Sequence, residues 1–350
     1  MNLAMTLLAF LIGAAVVDVG AETVTDLSIE STYDSNIFGT SSQSQDYLTQ
    51  AATTLAHRET TDASDFRLYY AGTAYLFTES TDRSFSVHGL GVTYSRKLGK
   101  GRNKIYAGST FRARLDRDVF TVYDYAGFRA FANVKFYANP KTMFRIGYAL
   151  ETRNYWNLDV SGYSDQYLFL QTTRFLPSRT TIRGDLSYSQ KDHGGSEGQI
   201  VLGAQVAQSV RAETGLSLRY QRRANIEPGS ANGPLSEDQD ILFDRYDYSG
   251  DAVTLRLTQQ LPFAARLVLS AGYESQRFDG QLALDGDLIP VPTLEERRDR
   301  IAGAGASFEL PITSRIDLGL NYGFEQSRSN DATYQYDGRH TASVGFDLDF

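Results

Sequence analysis

The sequence predicts an all-β protein, a transmembrane up-and-down antiparallel β-barrel of about 16 strands. Three observations predict this fold: period-two alternation of apolar and polar residues, alternation of short and long connections, and an apolar segment before the first strand. The mean hydropathy of −0.34 disfavours a helical membrane protein. A barrel tolerates this value because only alternate residues of each strand meet lipid.

The N-terminal segment indicates export. Residues 3–17 form a long apolar run, which is followed by the small residues Gly20 and Ala21. We interpret residues 1–21 as a cleaved signal peptide and residues 22–350 as an outer-membrane β-barrel. The run is shorter than the roughly 20 residues that a spanning helix needs, although a retained anchor helix is the alternative. The segment lacks the usual Lys or Arg at its start.

The alternation is clearest at residues 316–324, where Ile316, Leu318 and Leu320 share one face and Asp317 and Asn321 share the other. The same pattern covers residues 128–136, 144–150, 182–188, 200–206, 216–220, 253–257 and 302–310. Short polar turns are predicted near residues 99–101, 139–141, 177–179, 209–211, 262 and 311. Longer polar stretches cover residues 36–45, 116–122, 189–198, 222–246, 277–296 and 327–335. Regular alternation of turn length predicts an even number of strands with both chain ends on the periplasmic side.

The aromatic residues, 22 Tyr and 20 Phe among them, are also sorted along the strands. Tyr concentrates near the long connections and Phe near the short turns. This sorting predicts two aromatic girdles at the membrane interfaces. The alternative is that aromatic residues simply favour strands.

The last strand carries a candidate assembly signal. Val344, Phe346, Leu348 and Phe350 place apolar side chains at every second position up to the final residue. This pattern resembles the C-terminal signal by which the barrel assembly machinery recognises outer-membrane substrates. The resemblance implies that machinery as a partner.

The beginning of the mature chain carries a second resemblance. Tyr33, Asp34, Ser35 and Asn36 form a "YDSN" element that resembles the first strand of outer-membrane porins of the type-two β-barrel family. The resemblance implies a porin-like passive channel for polar solutes or polysaccharide, and some members are associated with exopolysaccharide export. It implies a Gram-negative outer-membrane location, reached through the periplasm, with outer-membrane lipid and lipopolysaccharide as surroundings.

Charged residues on the polar face predict a segregated pore lining. A basic wall is formed by Arg112, Arg114, Arg129, Lys135, Arg145, Arg183, Arg219 and Arg256. An acidic wall is formed by Glu274, Glu309, Asp317 and Glu325. In a closed ring of this size strand 14 lies opposite strand 6, so the two walls predict a field across the pore that acts on charged solutes. The alternative is charge pairing between adjacent strands, without selectivity.

Other function classes are disfavoured. The net charge of −8 argues against a nucleic-acid partner, and the chain contains no Cys. The four His (57, 88, 193 and 340) are scattered, and the acidic residues of 237–251 resemble a solvated loop more than a calcium site. We therefore expect no cofactor, no metal and no enzymatic activity. The alternatives are a non-transporting scaffold or adhesin whose loops at 222–246 and 277–296 bind a partner or plug the pore, and a barrel hydrolase using His88 or His340.

Overall fold

The computed structural model describes residues 22–99, 101–157, 162–192, 196–227 and 248–350. The predicted signal peptide, His193 and acidic residues 237–247 lie outside the described residues. In the described part of the chain, no helix is long and apolar enough to cross a membrane.

Sixteen strands form one sheet. Their bounds are β1 Glu22–Asp34, β2 Asp46–Thr60, β3 Ser64–Phe77, β4 Phe85–Lys97, β5 Lys104–Asp116, β6 Tyr125–Asn139, β7 Thr142–Tyr155, β8 Tyr163–Phe175, β9 Thr180–Asp192, β10 Ser196–Ser209, β11 Thr214–Glu227, β12 Ser249–Gln260, β13 Arg266–Leu282, β14 Glu296–Pro311, β15 Ile316–Ser329 and β16 Tyr336–Asp349. Each strand pairs with its neighbours in chain order, and β1 pairs with β16 to close the barrel. The predicted strand count and topology are confirmed.

The two ends of the barrel differ in their connections. At the short-turn end, the chain passes between strands in turns such as residues 61–63, 140–141 and 312–315. At the long-loop end, the connections include residues 35–45, 117–124, 283–295 and 330–335. Both the start of β1 and the end of β16 lie at the short-turn end, because Asp26 pairs with Asp349. This arrangement is the one that the alternation of turn lengths predicts.

The prediction of a long connection at residues 189–198 is wrong. Strand β9 continues to Asp192 and β10 begins at Ser196, so these polar residues pair in the ladder, with Ser189 opposite Gln199. Strands β11 and β13 likewise extend into the predicted loops, to Glu227 and Leu282. In these strands the backbone pairing continues after the apolar alternation has ended. A prediction from polarity alone therefore ends the strands too early.

The outward face of the barrel is apolar and exposed. Leu90 is 58% exposed, Phe111 52% and Leu202 51%, which is the reverse of a water-soluble protein, where such side chains form the core. Most of the largest fully buried side chains are instead polar, among them Asn36, Asp46 and Asp299. The polar face is turned inward, so the barrel is built for an apolar surrounding and a polar interior.

Three loops at the long-loop end are joined by hydrogen bonds. The backbone N–H of Leu284 donates to Asp331 Oδ2 at 3.0 Å, and Ala332 N–H donates to the Leu284 carbonyl at 2.9 Å. Ser41 N–H donates to the Thr333 carbonyl at 2.7 Å. Loops 35–45, 283–295 and 330–335 therefore form one connected structure on one side of the barrel opening.

Candidate functional site

Basic side chains from five strands meet inside the barrel. They line a cavity of about 700 Å³ and include five members of the predicted basic wall together with one further arginine: Arg112, Arg129, Arg145, Arg183, Arg219 and Arg223. Asp185 is the acidic residue among the described lining. We call this space the basic cavity.

Most of this positive charge is uncompensated. Among the described residues, no carboxylate lies within ion-pair distance of Arg112, Arg129, Arg145 or Arg219. Glu151, which is opposite Arg129 in the ladder, instead accepts a hydrogen bond from Arg153 at 3.0 Å. The side-chain hydrogen bonds of Arg145 and Arg219 are to uncharged amide groups.

Neutral partners orient two of these guanidinium groups. Arg145 Nε donates to Asn133 Oδ1 at 2.8 Å, and Arg219 Nη2 donates to Gln221 Oε1 at 3.3 Å. Arg183 differs because it pairs with Asp185 at 2.8 Å. The cavity therefore presents oriented guanidinium groups with net positive charge, which attracts anions between low-dielectric walls.

Aromatic rings also line the basic cavity, and each covers a glycine on a neighbouring strand. A Cβ atom added to Gly147 would lie 2.6 Å from the Phe169 ring, so the ring covers the glycine closely. Two similar pairs are Tyr69 over Gly91 and Phe131 over Gly108. The rings of Tyr69, Phe131 and Phe169 all belong to the lining of the basic cavity. These ring–glycine pairs could not be found from the sequence alone, because the pairing of a ring with a glycine depends on the strand register.

Three residues of the predicted basic wall lie outside the basic cavity. Arg114, which is 8% exposed, forms a bidentate pair with Asp116 at 2.7 and 2.8 Å and stacks on Phe85. Lys135 lies over the Tyr137 ring at 5.4 Å. Arg256 lines a separate cavity of about 420 Å³. The predicted wall is thus divided into groups with different surroundings.

The predicted acidic wall also lies inside the barrel. Glu274 and Glu325 line a second cavity of about 390 Å³. Glu309 is paired with Arg266, whose Nε lies 3.0 Å from the carboxylate, and Asp317 is opposite Asp347 in the ladder. In the order of the ring, β14–β16 are opposite β6–β8. Acidic and basic residues therefore occupy opposite sides, with partial pairing within the acidic side.

Near the long-loop end, buried arginines are stacked between aromatic rings. Arg153 lies 4.2 Å from the Tyr125 ring centre and 5.3 Å from that of Tyr163. Arg297 lies between Phe278 and Tyr334, at 4.0 and 3.3 Å. Burial raises the pKa of Tyr334, against the opposing effect of the neighbouring Arg297. In contrast to the basic cavity, these charges are neutralised, by Glu151 and by Asp299.

These stacks correct part of the predicted tyrosine girdle. Tyr125, Tyr155, Tyr248 and Tyr336 lie near the long connections but are only 3–8% exposed, so they do not belong to an outward-facing girdle. Their rings are buried by contacts such as the Tyr125–Tyr155 and Tyr248–Phe278 pairs. Tyr188, Tyr220 and Tyr322, which are also among the tyrosines near the long connections, are exposed, as a girdle requires.

The predicted assembly signal lies on β16, along the seam that closes the barrel. Leu348 pairs with Leu27, Phe346 with Ile29 and Val344 with Ser31 across the β1–β16 seam. Phe350 is 61% exposed, and its backbone N–H donates to the Thr25 carbonyl at 2.9 Å. Recognition by assembly machinery stays a prediction.

The described histidines are not grouped. His88 contacts Tyr70 Oη at 2.7 Å and Ser86 Oγ at 3.2 Å, and His340 contacts Tyr322 Oη at 2.9 Å. Within the described ranges, no group of three His, Asp or Glu residues could hold a metal ion. Asp251, from the acidic segment of the sequence, is hydrogen-bonded by Arg222 and Tyr220.

Comparison with solved structures identifies the class of fold. A bacterial polysaccharide outer membrane secretin is similar with a TM-score of 0.56 and 13% identity, covering 95% of this chain and 99% of its own. OccAB3 of Acinetobacter baumannii gives a TM-score of 0.54 and 11% identity, with 94% and 100% coverage. OccK2 (OpdF) of Pseudomonas aeruginosa gives a TM-score of 0.56 and 12% identity, with 94% and 98% coverage. The chain therefore has the fold of outer-membrane porin-type barrels.

The comparisons do not place the chain in a sequence family. No protein-family model matches it. No curated protein matches it either.

Proposed function

We propose that this protein is a porin-like passive channel of the Gram-negative outer membrane that favours anionic polar solutes. The observation that carries the proposal is the basic cavity, in which Arg112, Arg129, Arg145 and Arg219 have no described carboxylate partner. In this reading the short-turn end is periplasmic, the long-loop end is extracellular, and residues 1–21 direct export through the periplasm.

The barrel size supports a channel. Barrels of sixteen or more strands enclose an interior wide enough for water. Fixed positive charge on one side of such an interior raises the local concentration of anions and lowers that of cations. The acidic residues on the opposite side strengthen the field across the interior but are partly neutralised by Arg266 and Arg339.

Among anionic polar solutes, we expect the channel to favour those that carry sugar rings. Tyr69, Phe131 and Phe169 line the same cavity as the arginines. Aromatic faces offer flat apolar contact to a sugar ring, while guanidinium groups bind carboxylates in a bidentate manner. One similar solved structure is named a bacterial polysaccharide outer membrane secretin.

Single-channel conductance of refolded residues 22–350 in a planar bilayer tests the proposal. We expect steady conductance steps that scale with salt, and a reversal potential in a KCl gradient that indicates preference for chloride. An acidic oligosaccharide should block the current at lower concentration than a neutral one of equal length. A folded, heat-modifiable barrel without conductance would contradict the channel and favour a scaffold, and cation preference would contradict the role of the basic cavity.

A further inference from the structure

Three arginines lie close together on the outward face of the barrel at the long-loop end. Arg298 and Arg300 belong to the first part of β14, and Arg328 is the residue before the end of β15. All three are exposed, whereas their neighbours Arg297 and Asp299 point inward and are buried. We call Arg298, Arg300 and Arg328 the rim arginine patch.

The patch is held in an unfavourable arrangement. Arg300 is directly opposite Arg328 in the β14–β15 ladder, and Arg298 is directly opposite Arg277 in the β13–β14 ladder. Like charges at directly opposed positions destabilise a sheet. Arg277 has acidic partners of its own, but neither member of the Arg300–Arg328 pair has a described carboxylate partner, which indicates that an anion outside the chain balances this pair.

The chain itself supplies little compensation. Arg277 pairs with Glu296 at 3.1 Å and with Asp279 at 3.2 Å, so these acids are already engaged. Among the residues that the structure describes, no carboxylate lies within ion-pair distance of the three patch arginines. The patch therefore carries uncompensated positive charge toward the surroundings.

The height of the patch corresponds to the lipid headgroups. The outward face of β15 is apolar from Ile316 to Phe324, then polar at Gln326 and Arg328. A strand rises about 3.3 Å per residue and is tilted by roughly 40°, so Arg328 lies on the order of 10 Å beyond Phe324. Strand β14 runs in the opposite direction to β15, and Arg300 likewise lies one outward position closer to the long-loop end than Ala302. Cations at this level meet the charged headgroups of the outer leaflet.

We propose that the rim arginine patch binds the phosphate groups of a phosphorylated glycolipid of the lipid A class. Arginine binds phosphate through paired N–H donors, and several adjacent arginines can share one diphosphorylated headgroup. The apolar outward residues below the patch, including Phe324 and Ala302, offer a surface for the acyl chains. This site is separate from the lumen, and it rests on the proposed outer-membrane orientation but not on channel activity.

Native mass spectrometry of refolded residues 22–350 in neutral detergent tests the site, with lipid A as the probe. The triple variant R298Q/R300Q/R328Q should bind lipid A at least tenfold more weakly than the wild type. The charge-matched control R96Q/R174Q/R222Q removes three other exposed arginines and should change binding less than twofold. Dephosphorylated lipid A should bind the wild type as weakly as lipid A binds the triple variant.

Thermal unfolding provides a second measurement, in which a role in stability alone and a role in binding lipid A give different results. Arg300→Gln should raise the melting temperature in neutral detergent, because it removes the Arg300–Arg328 repulsion, and should reduce the rise that lipid A gives to the wild type. Equal lipid A binding by wild type and triple variant would overturn the proposal. Displacement of lipid A by millimolar inorganic phosphate would also overturn it, since the patch would then be a site for free phosphate.

Discussion

Arg339 and Asp34 are 305 residues apart in the chain and form a bidentate ion pair across the seam that closes the barrel. Arg339 Nη2 donates to Asp34 Oδ2 at 2.6 Å, and Nε lies 3.1 Å from both carboxylate oxygens. Ser35 N–H donates to the His340 carbonyl beside it at 3.0 Å. The "YDSN" element therefore joins β1 to β16 at the long-loop end, so this short motif has a structural role in closing the barrel.

Asp34→Asn should weaken the seam. The substitution keeps the shape of the side chain but removes the charge that Arg339 contacts, and Asp34 is buried. We expect a loss of about 2 kcal/mol in the free energy of unfolding. Urea unfolding followed by the fluorescence of Trp156, the single tryptophan, measures it. Asp62→Asn, in an exposed turn, is the control, and equal midpoints for the two variants would show that the pair does not stabilise the seam.

Arg129→Ala and Arg145→Ala should each reduce the anion preference of the channel. Both remove a guanidinium from the basic cavity that no described acid neutralises. We expect the ratio of chloride to potassium permeability to fall severalfold in the double variant, with smaller changes in the single ones. Reversal potentials in a salt gradient measure this ratio. Arg174→Ala, outward on β8, is the control, and unchanged conductance and ion preference in the double variant would refute the role of the cavity.

Gly147→Ala should destabilise the barrel more than Gly215→Ala. A Cβ atom at Gly147 would approach Asn133 Cβ to 2.5 Å and the Phe169 ring to 2.6 Å, whereas nothing lies within 4 Å of one at Gly215. We expect a loss of about 1–3 kcal/mol at Gly147 and little change at Gly215. Both glycines are on strands, and urea midpoints compare them directly. Similar midpoints would mean that the Phe169 ring moves away without cost.

Phe350→Ala should affect assembly in cells more than stability. The side chain is exposed, and the hydrogen bond from Phe350 to Thr25 uses backbone atoms, which the substitution keeps. We expect severalfold less heat-modifiable barrel in outer-membrane fractions, with urea midpoints of refolded protein unchanged. A lower midpoint with normal membrane levels would assign Phe350 a packing role instead of a signal.

The fold could be predicted because the membrane imposes a simple rule on the outward face. Leu318, Leu320 and their counterparts must alternate with polar residues, and this pattern is visible in the sequence. The ends of the strands could not be predicted in the same way. Ser189 and its polar neighbours form ladder pairs above the apolar band, where composition no longer distinguishes strand from loop.

Alternation predicts which side chains share a face of a strand, but it does not predict the partners of those side chains. Arg112 and Arg114 share one face of β5, yet Arg114 is neutralised by Asp116 while Arg112 lines the basic cavity. The difference comes from the height of each residue and from rings on neighbouring strands, such as Phe85 beside Arg114. Both depend on register, which the period-two pattern alone does not give.

The connected loops at the long-loop end make the chain suitable for displaying foreign peptides. Loop 283–295 is held at its base by the bonds of Leu284 to Asp331 and Ala332, while Leu288 at its tip is 66% exposed. A peptide inserted between Asp287 and Leu288 would leave those basal bonds intact. In the proposed orientation, the inserted peptide would lie at the cell surface on loops that hydrogen bonds join to one another.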